Sequence, residues 1–295
     1  MVRYNQAGYG GAIRSEGQLT ITGSRFQQNT SYQTGGAIYA TGETRIQDST
    51  FLGNRSNGGT GAGAIYASES LLIENSTFDT NRAFSGSAGA VYVTGIGEQR
   101  IIDSTFTENS ATEHGGGLVL NSNVTLSNTT VSNNTAPQGG GIETRGTSNI
   151  ITIINATLAN NSTTNAAEVS GSALDNSTGA TVRLTQSIVD GTITGTLTSR
   201  GYNLFTDSSV NGTRDTDLLG SDPLLGELDD NGGDTQTLMP AVNSPAVNAI
   251  PVRSCASPLD QRGIARPQGS ACDIGAVEVD EALLPTPTPT ETPTP

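Results

Sequence analysis

The sequence predicts an all-β fold: a right-handed parallel β-helix, or solenoid, of about seven coils followed by a C-terminal capping region. Up to residue 190 a unit recurs about every 25–27 residues, which is typical of stacked repeats. Apolar positions recur in step with that unit, and a corner-forming residue separates two of them. Connections between parallel strands are generally right-handed, and this sets the expected hand.

The clearest copy of the unit spans residues 35–54. It begins with Gly-Gly-Ala-Ile-Tyr at 35–39, continues to Ile46, and ends with Asp-Ser-Thr-Phe at 48–51 and Asn54. The next copy repeats this pattern at 62–66, Ile73, 75–78 and Asn81. Such a unit buries its apolar face only against its neighbours, so several copies must stack.

Three sets of apolar residues are predicted to form inward-facing columns. The first is Ile13, Ile38, Ile65, Val91, Leu118, Ile142 and Leu174; the second is Ile21, Ile46, Ile73, Ile101, Leu126, Ile153 and Leu184; the third is Phe26, Phe51, Phe78, Phe106, Val131, Leu158 and Ile188. Side chains alternate along a strand with a period of two. In the first six coils the second and third columns are five residues apart, an odd number, so the chain must bend between them. The pattern therefore predicts three strands per coil.

Two polar positions complete the unit. The predicted bend is occupied by Gly23, Asp48, Asn75, Asp103, Asn128 and Asn155, and these residue types tolerate left-handed backbone angles. Another position is always asparagine: Asn29, Asn54, Asn81, Asn109, Asn134 and Asn161. Asparagines stacked at the spacing of neighbouring strands can hydrogen-bond along the axis, so we expect a structural ladder.

Composition excludes several classes of partner. Hydrophobic residues make up 33% of the chain, tryptophan is absent and there are 37 glycines, a composition that suits narrow apolar columns better than a broad core. The net charge is −14, and all 14 basic residues are arginine. A charge of this sign disfavours nucleic acids, anionic membranes and polyanionic glycans. We expect no membrane span and a monomer.

The repeat resembles that of right-handed β-helix surface proteins. Its Gly-Gly-Ala-Ile and Phe-x-x-Asn signatures are similar to those of the polymorphic outer-membrane protein repeats, and the likeness covers residues 1–190. Motifs between 200 and 278 resemble a choice-of-anchor domain: Gly-Tyr-Asn-Leu at 201–204, Asp-Pro-Leu-Leu at 222–225, Asp-Asn-Gly-Gly at 230–233, Ser-Pro-Ala at 244–246, Asp-Gln-Arg-Gly at 260–263 and Cys-Asp-Ile-Gly-Ala-Val-Glu at 272–278. We therefore divide the chain into repeats at 1–199, an anchor-like region at 200–280 and a Pro/Thr-rich linker at 281–295.

The resemblance implies a bacterial protein that is secreted or held at the cell surface. The signal peptide and the anchor are then expected to lie outside this chain. In the oxidising environment outside the cell, Cys255 and Cys272 would pair and close a loop.

Catalytic and metal-binding residues are sparse. If the chain is a polysaccharide lyase or a glycoside hydrolase, its carboxylates, histidine and arginine would be Glu113, His114, Glu143 and Arg145. His114 is the only histidine and occupies a loop, so we favour a protein that is not an enzyme. No cofactor is expected; Ca²⁺ is a weaker alternative, with Asp229, Asp230 and Asp234 as ligands on a glycine-rich turn.

A column of tyrosines offers the best binding surface. If the neighbouring apolar residues point inward, Tyr39, Tyr66 and Tyr92 point outward and stack about 4.8 Å apart. An exposed tyrosine ladder is an amphipathic platform that suits sugars or a surface protein. Three hypotheses remain: a non-enzymatic adhesion protein that binds glycan on this ladder, a carbohydrate-active enzyme, and a purely structural spacer.

Overall fold

The computed structural model describes residues 1–59, 61–164 and 171–280, and the predicted linker at 281–295 lies outside this part of the chain. The described residues form a parallel β-solenoid of about seven turns, and their only helix is a short 3₁₀ turn at Val252–Ser254. Four parallel sheets run along the solenoid, which we call sheets A to D. Each complete coil contributes one strand to each sheet in the order C, D, A, B.

The strand bounds by sheet are as follows. Sheet A consists of Val2–Arg3, Arg25–Gln27, Thr50–Leu52, Thr77–Asp79, Thr105–Thr107, Thr130–Ser132, Thr157–Ala159, Ile188–Val189, Leu204–Phe205 and Leu218–Leu219. Sheet B consists of Gln6–Ala7, Thr30–Ser31, Arg55–Ser56, Arg82–Ala83, Ser110–Ala111, Thr135–Ala136 and Ser162–Thr163. Sheet C consists of Ile13–Ser15, Ile38–Ala40, Ile65–Ala67, Val91–Thr94, Leu118–Asn121, Ile142–Thr144, Leu174–Asn176 and Ile193–Gly195. Sheet D consists of Leu19–Thr22, Thr44–Gln47, Leu71–Glu74, Gln99–Ile102, Val124–Ser127, Ile150–Ile154, Thr181–Thr185 and Leu197–Ser199. An antiparallel hairpin pairs Leu225–Asp229 with Thr237–Pro240.

The predicted apolar columns are confirmed except at one position. The first column lies in sheet C and the second in sheet D, each in register along its length. The third lies in sheet A, where Leu158 is paired with Val189 and not with Ile188. The assignment of Ile188 to this column was therefore wrong by one residue, which places its side chain on the opposite face of the sheet. Ile188 is nevertheless fully buried, because it packs against the C-terminal region.

Two of the left-handed corners in each coil lie on either side of sheet A. The predicted corner between sheets D and A is confirmed, with φ between 46° and 58° at Gly23, Asp48, Asn75, Asp103, Asn128 and Asn155. A second corner separates sheets A and B, with positive φ at Gln28, Gly53, Thr80, Glu108, Asn133 and Asn160. This corner begins the fourth strand, which the sequence did not predict because two residues show no recognisable alternation.

The asparagine ladder directly follows the second corner and is confirmed. Each rung donates its amide hydrogen to the Oδ1 of the next asparagine over 2.9–3.0 Å. Close stacking also explains the glycine that recurs two residues before the sheet C strands: a Cβ added to Gly63 would lie 1.9 Å from the carbonyl oxygen of Gly89 in the following coil. Only glycine fits where two backbones approach this closely.

Residues 225–280, which we call the C-terminal strap, fold back over the outer face of sheet A. Gln261 donates to the Thr105 hydroxyl over 2.9 Å and accepts from the Thr130 hydroxyl over 2.7 Å. The Ala276 amide donates to the Thr157 hydroxyl. These threonines are buried, whereas Thr50 and Thr77 of the earlier coils are only half-buried. The strap therefore covers sheet A from the fourth coil onward.

The strap is held together by a disulfide and by buried charges. Cys255 and Cys272 form the predicted disulfide. Arg266, which follows Ala265 and precedes a cis proline, donates to the Glu278 carboxylate over 2.8 Å, and both side chains are almost fully buried. Arg262 pairs with Asp260 over 2.7 Å in the same way. The anchor-like motifs at 260–263 and 272–278 thus supply buried residues of the strap, while the division of the chain at residue 199 stays a prediction.

Candidate functional site

The predicted tyrosine ladder forms on sheet C. Tyr39 is the cross-strand partner of Tyr66, and Tyr66 of Tyr92. The ring centroids are 5.2 Å and 5.6 Å apart in stacked geometry. Tyr9 adds a tilted ring 5.0 Å from Tyr39, a contact that sequence reasoning missed because Tyr9 lies outside the repeated strand position.

The ladder is exposed only in part. Tyr39 and Tyr66 are half-buried, and Tyr92 keeps only 6% of its surface accessible. The expectation that Tyr92 is exposed was therefore wrong, since its ring packs against Ala88 and Val119. Burial also raises the pKa of the Tyr66 phenol, and the neighbouring phenols add to the rise.

The stacked geometry determines what the ladder can offer to a ligand. The planes of Tyr39 and Tyr66 differ by only 8°, so each ring turns its faces toward its neighbours. What remains accessible is ring edge and hydroxyl. The ladder therefore offers hydrogen-bonding tips more than the open ring faces on which sugars stack.

A polar cluster closes one end of the ladder. The Arg145 guanidinium donates to Glu143 over 2.9 Å, to the Tyr92 hydroxyl over 3.2 Å and to the Ser87 hydroxyl over 3.2 Å. His114 Nδ1 lies 3.2 Å from Glu143 Oε2, although the angle is not that of a hydrogen bond. The structure thus brings three of the four predicted enzymatic residues together.

The fourth predicted residue, Glu113, lies apart. It is exposed, and no ion pair of the described residues includes it. Sequence reasoning missed Ser87 and also Asp175, which is the buried cross-strand partner of Glu143. The column position of Asp175 could have revealed it, since it follows Glu143 by one coil.

Glu143 has the environment of a buried, partnered carboxylate. Its side chain is 5% exposed, and desolvation raises the pKa of the carboxyl while Arg145 and His114 oppose that rise. Both oxygens face cationic or potentially cationic groups. This arrangement suits a structural ion pair with Arg145 and places a carboxylate beside His114.

Comparison with known proteins matches one copy of the repeat. Residues 23–41 match the model of the Chlamydia polymorphic membrane protein repeat. This is a β-helix protein with repeats similar to those of the polymorphic membrane proteins. No curated protein and no solved structure matches the chain. The matched repeat and the solenoid together suggest a surface-exposed β-helix protein.

The described residues do not group into a metal site. Among residues 1–59, 61–164 and 171–280, no group of three or more His, Cys, Asp or Glu side chains is placed to hold a metal. The proposed Ca²⁺ ligands Asp229, Asp230 and Asp234 are exposed, and the first two accept hydrogen bonds from the backbone of their own turn. Calcium binding by this turn stays a prediction. The same described residues include no helix long and apolar enough to cross a membrane.

Proposed function

We propose that this chain is a non-enzymatic, exported surface protein whose β-helix binds a glycan along the tyrosine ladder. The observation that carries the proposal is the array of half-buried Tyr39 and Tyr66 that leads into the Arg145 cluster on one face of sheet C. Hydroxyl and guanidinium donors in line along a solenoid suit the hydroxyls of an extended chain of sugars. The net charge of −14 favours a neutral glycan.

A binding assay on a panel of neutral and acidic polysaccharides tests this function. We expect retention of the protein by a neutral polysaccharide without release of product. The double variant Tyr39→Phe/Tyr66→Phe keeps the stacked rings and removes two hydroxyls, so it should bind less tightly by about tenfold or more. Tyr202→Phe, outside the ladder, is the matched control. Equal binding by the wild type and the double variant would exclude the ladder as the site.

A second candidate function is a carbohydrate-active enzyme that uses the polar cluster. The contact between His114 and Glu143, together with the raised pKa of the Glu143 carboxyl, favours it. The same panel, scored with and without Ca²⁺ for reducing or unsaturated ends, tests this candidate. Product that forms with the wild type and not with His114→Ala would establish an enzyme. The absence of both binding and product would favour the purely structural spacer.

A further inference from the structure

Two arginines face each other on sheet B without a carboxylate between them. Arg55 and Arg82 are cross-strand partners, and both side chains are exposed. Like charges in this position destabilise a sheet. In the described part of the chain, no other two arginines are cross-strand partners, and neither of these two forms an ion pair within 4.0 Å. The protein thus holds two adjacent positive charges on a strongly acidic molecule.

Both guanidinium groups lie close to the same aromatic ring, that of Phe84. The Arg82 guanidinium carbon lies 4.3 Å from the centroid of the Phe84 ring, and that of Arg55 lies 5.9 Å from it. Both distances are within the range of cation–π attraction, which offsets part of the repulsion. Phe84 is 37% exposed, so this arrangement forms at the surface. A planar guanidinium can bind a carboxylate through two parallel hydrogen bonds, so two of them beside one ring suit an anionic ligand.

A hollow of about 260 Å³ adjoins this pair and is lined by Tyr4, Gln28, Thr30 and Arg55. It is slightly smaller than the small-molecule sites of about 300 Å³ that proteins commonly form, so it fits a single sugar residue. Tyr4 is 62% exposed, and the Arg3 guanidinium lies 5.6 Å from its ring. An aromatic ring, an amide, a hydroxyl and a guanidinium can together contact the ring, the hydroxyls and the acid group of a sugar.

We propose that Arg55, Arg82 and Phe84, with the hollow beside Arg55, bind the carboxylate of an acidic sugar, namely a hexuronic acid residue in an otherwise neutral glycan. A bound carboxylate would relieve the repulsion between the two arginines. A densely charged polyanion does not fit, because the net charge of −14 repels it at long range. The site lies on sheet B and is independent of the tyrosine ladder on sheet C.

The site is tested by titrating the protein with galacturonate and, as a neutral probe, with galactose. We expect saturable binding of galacturonate, weaker binding at high salt, and binding of galactose that is weaker by about tenfold or more. Arg55→Gln and Arg82→Gln should each weaken galacturonate binding by about tenfold. Arg100→Gln is the matched control, because Arg100 is also exposed but lies on sheet D near Glu98.

Further variants keep the test decisive. Arg55→Lys/Arg82→Lys retains both charges without the planar forks and should bind with intermediate affinity, while Tyr202→Phe, outside both proposed sites, should bind galacturonate as the wild type does. Equal affinity for galacturonate and galactose, or no loss on changing Arg55 and Arg82 in variants with an unchanged melting temperature, overturns the proposal. Equal affinity for N-acetyl-aspartate and galacturonate also overturns it, since the site would then accept an acidic peptide and not select a sugar.

Discussion

At the scale of single residues, the ladder asparagines before Asn161 use both donors and the acceptor of the side-chain amide, as Asn81 shows. The Asn81 amide donates to Asn109 Oδ1 over 2.9 Å and to the Phe51 carbonyl over 3.0 Å. Its own oxygen accepts from the backbone and the side chain of Asn54, each over 3.0 Å. One rung therefore satisfies buried groups in two neighbouring coils.

Replacing Asn81 with alanine should lower the free energy of unfolding by about 3 kcal/mol, because it leaves buried donors and an acceptor without partners. Asn57→Ala, at an exposed position outside the ladder, should change it by less than about 0.5 kcal/mol. Urea unfolding of both variants measures the difference. Similar midpoints for the two would show that the ladder contributes little to stability.

Asp103 differs from the other corner residues because the strap lies over its corner. Burial raises the pKa of its carboxyl to about 6, and Glu74 and Asp260 add to the rise while Asn128 opposes it. The folded state therefore binds a proton more tightly than the unfolded chain. The free energy of unfolding should fall as the pH rises from about 4 to about 6 and then level off.

Asp103→Asn should remove this fall and stabilise the protein at pH 7 by about 1 kcal/mol, a value reduced to allow for partial exposure of the carboxyl. Asparagine already occupies the same corner at Asn75 and Asn128, so the backbone accepts it. Melting temperatures between pH 4 and pH 7 test this prediction, with Asp48→Asn as the control. An unchanged pH dependence in Asp103→Asn would contradict it.

At the scale of strands and columns, the phenylalanine stack in sheet A contains the largest fully buried side chains of the repeats. Phe26, Phe51, Phe78 and Phe106 are stacked with ring centroids 4.7–4.9 Å apart. Phe78 has a ring above and below it and no accessible surface. Such a residue loses contacts on both sides when it is truncated.

Phe78→Ala should therefore lower the free energy of unfolding by about 3–5 kcal/mol. Phe84→Ala, at a partly exposed ring on sheet B, should cost much less and serves as the control. Chemical unfolding compares the two variants. A larger effect at Phe84 would mean that the inward and outward assignments are reversed.

The sequence predicted the apolar columns, one corner and the asparagine ladder, but it missed the two-residue strands of sheet B and most contacts between distant parts of the chain. Columns such as Ile38, Ile65 and Val91 were readable because each coil gives them the same environment. The same five-residue spacing counted from Leu184 gives Val189, so the displacement of Ile188 was readable; the strap buries the outer face on which Ile188 lies, so its apolar character does not mark the inner face. Tyr92 was predicted to be exposed for a similar reason: Arg145, which covers its hydroxyl, is 53 positions away in the chain.

At the scale of the whole molecule, the strap divides the surface. It covers sheet A from the fourth coil onward through contacts between residues more than a hundred positions apart, such as Thr105 with Gln236 and Asn128 with Leu259. Sheets B and C carry the two proposed binding sites. The strap thus protects one side of the solenoid and leaves the proposed sites on other sides.

Glu278→Gln should destabilise the strap, because it leaves the buried Arg266 without a charged partner, and we expect a loss of about 3–5 kcal/mol. Glu98→Gln removes an exposed partner of Arg100 and should have almost no effect. Thermal unfolding gives the loss, and limited proteolysis shows whether cleavage begins within residues 225–280. Equal melting temperatures for the two variants would show that the buried pair does not hold the strap.

The ladder joins asparagines that are 25, 27, 28, 25 and 27 positions apart, yet every rung keeps the same hydrogen bonds. The extra residues are taken up in loops between strands, where Ile96, for example, is 97% exposed. Loop sequence and loop length can therefore vary without a change of register in the sheets. A protein built in this way can change the surface that it presents to its surroundings, coil by coil, while its interior stays constant.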